Sequence, residues 1–332
     1  MKKKIVVCVS LVLSLLTFCG CSLTMPWQSS DRDVVMTVSG AQIEDDLYAY
    51  YLTTVLHSPK TYGLTDPDRK AAEDKTVQLC TEYVAVNSMF ADAGLDLTPE
   101  YKNRIAENVS TKWSFYKNYY EKVGIRKQTV TKYETNQAKR EMLIAHKYGE
   151  GGAAAVPQIE LDAYYAVNYV TFKSINGYLT ETGSDGKSHR LPDPEIAAVE
   201  NRFKQMCELV RTGSSLEEVA EANASNAYIL SSEAETVTIN RTTNNYPPEF
   251  FTSVQKMDVG TPRVIETSDY IFLVVKQSDK SDENLQAHRM ACLLEKCAEP
   301  FRADLATVIA GYKVQKDSYA LGGIFGTVSK RF

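Results

Sequence analysis

The segment YPPEFFTSVQKMDVGTPRVIETSDYIFLVVK, Tyr246 to Lys276, decides how the rest of the chain is read. After the Pro pair, Phe250, Phe251, Val254 and Met257 recur at helical spacing, and the first turn tolerates Pro and favours the negative charge of Glu249. Gly260 is expected to stop that helix. Pro262 cannot continue one, Val264 and Ile265 begin an extended segment, and Thr267-Ser268-Asp269 turn the chain into 270–275, a run of large and β-branched residues. So unbroken an apolar strand needs cover on both faces, which places it inside a sheet.

Upstream, ELDAYYAVNYVTFKSI reads as a short helix through Tyr164 and Tyr165 followed by a strand over about 167–175. The polar insertion LTETGSDGKSHRLPD is a surface loop by composition. A helix over 194–212 carries Phe203, Met206, Cys207 and Val210 on one side, and the motif Gly213-Ser214-Ser215-Leu216-Glu217-Glu218-Val219-Ala220 follows it.

Four of these pieces resemble a parvulin-type peptidyl-prolyl isomerase domain. Pro248-Glu249-Phe250, Val259-Gly260 and 268–272 match its Pro-x-Phe helix, Val-Gly turn and final strand. The run 213–220 matches its Gly-x-x-Phe-x-x-Leu-Ala signature, with Leu216 for Phe and Val219 for Leu. The resemblance puts Tyr169 and Tyr270 at the places of the two hydrogen-bonded histidines of the active pocket, facing one another across neighbouring strands. It implies a peptide-binding groove lined by Tyr246, Phe250, Met257, Tyr169 and Tyr270. The family's Gly-Gly-x-Leu-Gly strand is missing, its place taken by 231–240.

The front of the chain adds a compartment. Met1-Lys2-Lys3-Lys4 is a basic n-region, and residues 5–18 are an apolar stretch too short to span a bilayer, as in an export signal. Gly20-Cys21 resembles a bacterial lipobox, so residues 1–20 read as a lipoprotein signal and Cys21 as the lipidated residue, with Cys19 as the alternative. Residues 21–33 are polar and read as a tether. Loss of residues 1–20 removes three lysines and moves the formal charge from −5 to −8, which disfavours nucleic acid as a partner. Beyond Cys21 the mature chain keeps Cys80, Cys207, Cys292 and Cys297, too few for a disulfide scaffold in a chain of this size and best read as small buried apolar side chains. Cys292 and Cys297, five apart on one helix, point away from each other.

With 332 residues and 44% apolar content, the chain can build two cores. VVMTVSGAQI gives a strand over 34–38, a Gly40 turn and then a helix with Glu44, Asp45 and Asp46 in its first turn, an opening that resembles the PrsA and SurA group of secreted foldases. Leu47, Tyr50, Tyr51 and Thr54 share a face of that helix. Asp66-Pro67 caps a second helix ending near Ala93, Thr98-Pro99-Glu100 starts a third to about Val123, and a fourth covers 127–148. Four helices without a sheet make a helical domain, closed by the linker GEGGAAAVP. The third helix carries Trp113, Phe115, Tyr116, Tyr119 and Tyr120; Trp113, Tyr116 and Tyr120 read as its core stripe, with a client-binding cradle as the other reading. From 284 to 308 the chain is helical again, with a break at Pro300.

The expected fold class is α+β: a helical chaperone domain built from residues 34–150 and 280–332, with a parvulin-like α/β domain of small, mostly antiparallel sheet and helices inserted at 156–279. His57, His146, His189 and His288 are scattered and no metal motif or nucleotide loop occurs, so neither metal nor cofactor is expected. The resemblance implies a membrane-anchored extracytoplasmic foldase of a Gram-positive cell surface, acting on newly exported polypeptides. Prolyl isomerisation needs only a grip on the twisted amide, against a barrier of about 18–20 kcal/mol. With Tyr at both histidine places the expected activity is weak or absent. An active isomerase and a solute-binding or envelope-scaffold lipoprotein are the alternatives.

Overall fold

The computed structural model describes residues 33–65, 68–225, 228–229, 234, 236–242, 246–278 and 282–331. The signal over 1–20, the lipidation site Cys21 with its alternative Cys19, the tether through residue 32 and the Asp66-Pro67 cap lie outside the described residues. No described helix is long and apolar enough to cross a membrane.

The chain opens with strands β1 (Val34–Val38) and β2 (Ala41–Glu44), joined by a two-residue turn in which Ser39 has φ 48° and Gly40 φ 90°. Both central residues of such a tight hairpin turn need positive φ, which Gly supplies without strain. The sequence led straight from Gly40 into a helix; β2 intervenes, and its Ile43 is fully buried. Helices α1 (Asp45–His57), α2 (Arg69–Asp92), α3 (Pro99–Lys122) and α4 (Lys127–Tyr148) follow. Asp68 caps α2 by accepting from the Ala71 amide at 2.7 Å, and Thr98 caps α3. Where one apolar face was expected on α1, every residue from Asp46 to Leu52 is buried, because α2, α4 and the C-terminal helix surround it. One oxygen of the buried Asp46 carboxylate, Oδ2, accepts from Arg126 Nε at 2.8 Å and from the Thr129 hydroxyl, while Oδ1 is buried without a hydrogen-bond partner among the described residues.

Next come α5 (Gln158–Asn168), β3 (Tyr169–Tyr178), a hairpin of β4 (Thr180–Thr182) and β5 (Ser188–Arg190), α6 (Asp193–Arg211), α7 (Leu216–Asn223), β6 (Thr236–Asn240), α8 (Pro248–Gln255), β7 (Pro262–Glu266) and β8 (Tyr270–Lys276). Four strands form an antiparallel sheet in the order β6-β3-β8-β7. The long apolar strand is therefore internal, and both its faces are covered. On one face Ile175, Ile271 and Leu273 meet Phe203 and Met206 of α6 and Leu216 of α7; on the other, Phe172, Phe272 and Val274 meet Phe250 and Val254 of α8. A reciprocal capping box between Ser215 and Glu218 starts α7. The polar insertion forms the exposed β4–β5 hairpin instead of a plain loop. Helix α8 ends at Gln255, with Lys256 as its C-cap, so Gly260 shapes the following turn rather than the helix end.

The chain closes with α9 (Asp282–Lys296), α10 (Ala298–Ile309), β9 (Val314–Lys316) and α11 (Ser318–Val328). The helical break falls at Cys297, not at Pro300, which sits in the first turn of α10 where its missing N–H is not needed. The N-terminal helices are not without a sheet: β9 pairs with β1, Met36 opposite Lys316 and Val38 opposite Val314, to give the order β2-β1-β9. Helix α11 lies on α1 and α2, α10 on α2, and α9 on α4 and α5. Asp304 of α10 accepts from Lys147 Nζ at 2.6 Å and from Tyr148 Oη at 2.7 Å. All four described cysteines are buried and free. The expected α+β class is what the chain adopts: helices throughout, with small antiparallel sheets.

Candidate functional site

Strand β3 alternates its side chains between the two faces of the sheet. Val170 and Phe172 point toward α8, so Ser174, Asn176 and Tyr178 continue the same face. In the register with β8, Ser174 lies opposite Val274, Asn176 opposite Phe272 and Tyr178 opposite Tyr270. Helix α8 covers the Phe172 end of this face and leaves the Tyr178 end accessible. The rings form a continuous row: Tyr178 to Tyr270 at 5.7 Å, Tyr270 to Phe272 at 6.0 Å, and Phe272 to Tyr246 at 6.1 Å between centroids. Tyr246 stacks on Phe250 at 4.8 Å with 22° between the planes, and Phe250 packs on Phe272 at 4.5 Å.

Beside this row stands one polar pair. The Ser174 hydroxyl donates to the Asn176 side-chain oxygen at 2.7 Å, which leaves the amide nitrogen of Asn176 without a protein acceptor among the described residues. Ser174 is buried and Asn176 half-buried. The turn that presents Tyr270 is fixed by Thr267, whose hydroxyl accepts from the Tyr270 amide at 3.2 Å and donates to its carbonyl at 3.1 Å. Arg190 of β5 braces the same turn through the Ser268 carbonyl and Glu266.

Of the residues expected to line a groove, Tyr246, Phe250, Met257 and Tyr270 come together on this face. Phe250 is fully buried and Met257 is 7% exposed, so both support the floor; Tyr246 and Tyr270 are half-buried and reach the surface. Burial raises the Tyr246 phenol above its ordinary pKa. Tyr169 does not join them. It begins β3 opposite Asn240 of β6, whereas Tyr270 pairs with Tyr178, nine residues on. Nine residues put the two tyrosines about 30 Å apart along the strand, and the odd spacing puts them on opposite faces. Tyr169 instead stacks on Tyr165 at 5.1 Å and 14°, beside His288 at 5.7 Å. Its phenol is held well above its ordinary pKa by burial and by Glu295. It is a joint residue between the sheet and α9. The neighbouring Cys292 thiol is pushed up to about 11 by burial and by Glu295.

Sequence reasoning therefore missed Ser174 and Asn176. The signal was present: two polar residues two apart inside a strand otherwise apolar on that face. On α3, Tyr120 is buried and Trp113 stacks on it at 6.0 Å, but Tyr116 is 51% and Phe115 79% exposed, so Tyr116 is not part of the core stripe.

What this face offers chemically is an aromatic floor, a rim of tyrosines and one amide donor. That set can hold an extended peptide and hydrogen-bond a carbonyl, and it contains no nucleophile paired with a base.

No family model matches the chain, and no curated protein matches it. Solved structures that it is similar to include the foldase protein PrsA from Streptococcus pneumoniae, at 13% identity and a TM-score of 0.36 over 90% of this chain and 94% of that one. The PrsA foldase of Lactococcus lactis is 16% identical, with a TM-score of 0.39 over 89% of this chain and 99% of that one. PrsA of Bacillus subtilis is 13% identical, with a TM-score of 0.29 over 91% of this chain and 93% of that one.

Proposed function

We propose that the chain is an exported foldase, anchored to the membrane through Cys21, that binds apolar stretches of newly exported polypeptides and releases them without a nucleotide cycle. In this reading residues 34–150 and 280–332 are one helical chaperone domain, and 156–279 is a parvulin-like domain set into it. The observation that carries the reading is the ring row Tyr178, Tyr270, Phe272 and Tyr246 beside the half-buried amide of Asn176, on a sheet face that α8 covers only in part. Aromatic rims bind varied sequences because rigid rings bury much area at little entropic cost. The motif resemblance of 213–220 and 248–272 supports the parvulin-like assignment.

Prolyl isomerisation at this face is expected to be weak. The resemblance puts Tyr169 and Tyr270 at the two histidine places, and the face beside Tyr270 presents neutral Ser174 and Asn176, so no imidazole is offered to a bound peptide there.

The test is suppression of aggregation of an unfolded protein by the chain from Ser22, run beside isomerisation of a prolyl peptide. Suppression near equimolar ratio is expected, with less than tenfold acceleration of isomerisation. Asn176→Ala should weaken peptide binding about 3–10-fold, the worth of one hydrogen bond of about 1 kcal/mol, and lower the melting temperature modestly because the buried Ser174 hydroxyl loses its acceptor, so binding is compared well below the melting range. Absence of suppression would end the foldase reading. Efficient turnover lost in Asn176→Ala would make the protein an active isomerase instead.

A further inference from the structure

The described chain begins at one pole of the helical part. Asp33 shares a cavity of about 360 Å³ with Lys122, Val123 and Gly124 at the end of α3 and with Thr327 near the end of α11. From this end of α3 back to Phe115 the helix carries aromatic side chains that reach the surface, of which Tyr119 also packs against the core. Phe115 and Tyr116 are exposed, and Tyr119 on the same stretch is half-buried beside Arg331, whose charge lowers the Tyr119 pKa against the larger raising effect of burial. Phe115, Tyr119 and Lys122 fall on one side of α3 by helical spacing, within about 11 Å along its axis. Lys122, Lys330 and Arg331 are exposed and form no ion pair among the described residues.

We propose that this pole, built from Phe115, Tyr116, Tyr119, Lys122, Lys330 and Arg331, docks on the surface of an anionic lipid bilayer. Two observations select lipid over another occupant. The first is composition: exposed aromatic rings flanked by unpaired cations are what the headgroup boundary takes up, each nearby Lys or Arg adding attraction to an anionic surface. The second is reach. From Cys21 to Asp33 there are twelve peptide steps, which span no more than about 43 Å even fully extended, so an anchor at Cys21 keeps this pole within that distance of the bilayer and makes it the first part of the body to meet the surface. This rests on the anchoring at Cys21 proposed above. Docking would hold the clamp in one orientation, with the sheet face of the inserted unit turned by the body and not by the tether alone.

The experiment uses the chain from Ser22, which retains every described residue, held on vesicles of phosphatidylcholine with 30% phosphatidylglycerol through an N-terminal histidine tag and a nickel-chelating lipid. Phe115→benzoylphenylalanine is irradiated beside Leu209→benzoylphenylalanine, whose native side chain is 49% exposed on α6. Lipid adducts at position 115 should exceed those at 209 at least tenfold, and fall severalfold without phosphatidylglycerol and in Lys122→Glu/Arg331→Glu. Equal adducts at the two positions, or adducts at 115 only to an added unfolded polypeptide, would overturn the docking. Because the tag replaces the native anchor, the anchor is tested separately, by the mass of Cys21 in chain extracted from membranes; an unmodified Cys21 sinks the anchoring and not the lipid affinity of the pole.

Discussion

Gly177 shows how little room the sheet leaves at the level of single atoms. A Cβ there would lie 2.7 Å from Cζ of Phe203 and 2.9 Å from the Tyr228 carbonyl. Phe203 is one of the largest fully buried side chains, so neither neighbour can step aside freely. Gly177→Ala should cost about 1–3 kcal/mol by overpacking, read as an earlier midpoint in urea denaturation, while Gly186→Ala measures only the strain of a positive φ, since nothing lies within 4 Å there. The neighbouring positions explain why the site was only half legible. Tyr246, Phe250, Met257 and Tyr270 were found because helix period and turn residues fix them locally. Tyr169 was misplaced because a strand has period two, so a motif laid a few residues off its true register selects the wrong face, and no local signal objects. The stacking of Tyr165 on Tyr169 is a contact four residues apart that identifies Tyr169 as a joint, but only coordinates reveal it.

Among the elements, the join of α10 to α4 adds one carboxylate to a buried cluster that Phe301 and Leu305 share with Leu143 and Tyr148. Burial acts to raise the Asp304 pKa, but hydrogen bonds from Lys147 and Tyr148 outweigh it and hold the group below the usual carboxylate range. A lowered folded pKa means stability that is fully present above the unfolded value, about 3.9, and is lost as pH falls through the folded one. Asp304→Asn should therefore destabilise by about 1–3 kcal/mol at pH 7 and much less at pH 3, compared by urea melts at the two values. Long helices were legible because caps and periodicity agree: Thr98-Pro99 starts α3, Gly213 and the Ser215 box frame α7. The short strands β2 and β9 were not. The three residues Val314 to Lys316 are all exposed, and only pairing with β1 makes them a strand. Pro300 misled for the opposite reason: a proline breaks a helix it follows but suits one it opens.

For the molecule as a whole, the first and last described segments close one core. Leu321 and Val328 of α11 are buried with Val38, Leu47 and Tyr51, and Trp113 packs against the same cluster. Removing everything after Gly311 would expose apolar groups worth about 1.5–3 kcal/mol each, against a typical total stability of about 5–15 kcal/mol. The truncated chain should lose the cooperative transition reported by Trp113 fluorescence; an unchanged midpoint would show that α11 is an ornament on the helical part. The pairing of β1 with β9 has a further consequence in time. Thr37 meets Gln315, 278 residues later. A ribosome adding about 5–20 residues per second needs roughly 15–55 s to supply that partner. Throughout that interval the opening hairpin waits with one flank bare, while the four-stranded sheet, whose strands all arrive earlier, can finish. Maturation of this protein is thus ordered from the middle outward, and its oldest residues are the last to be sealed.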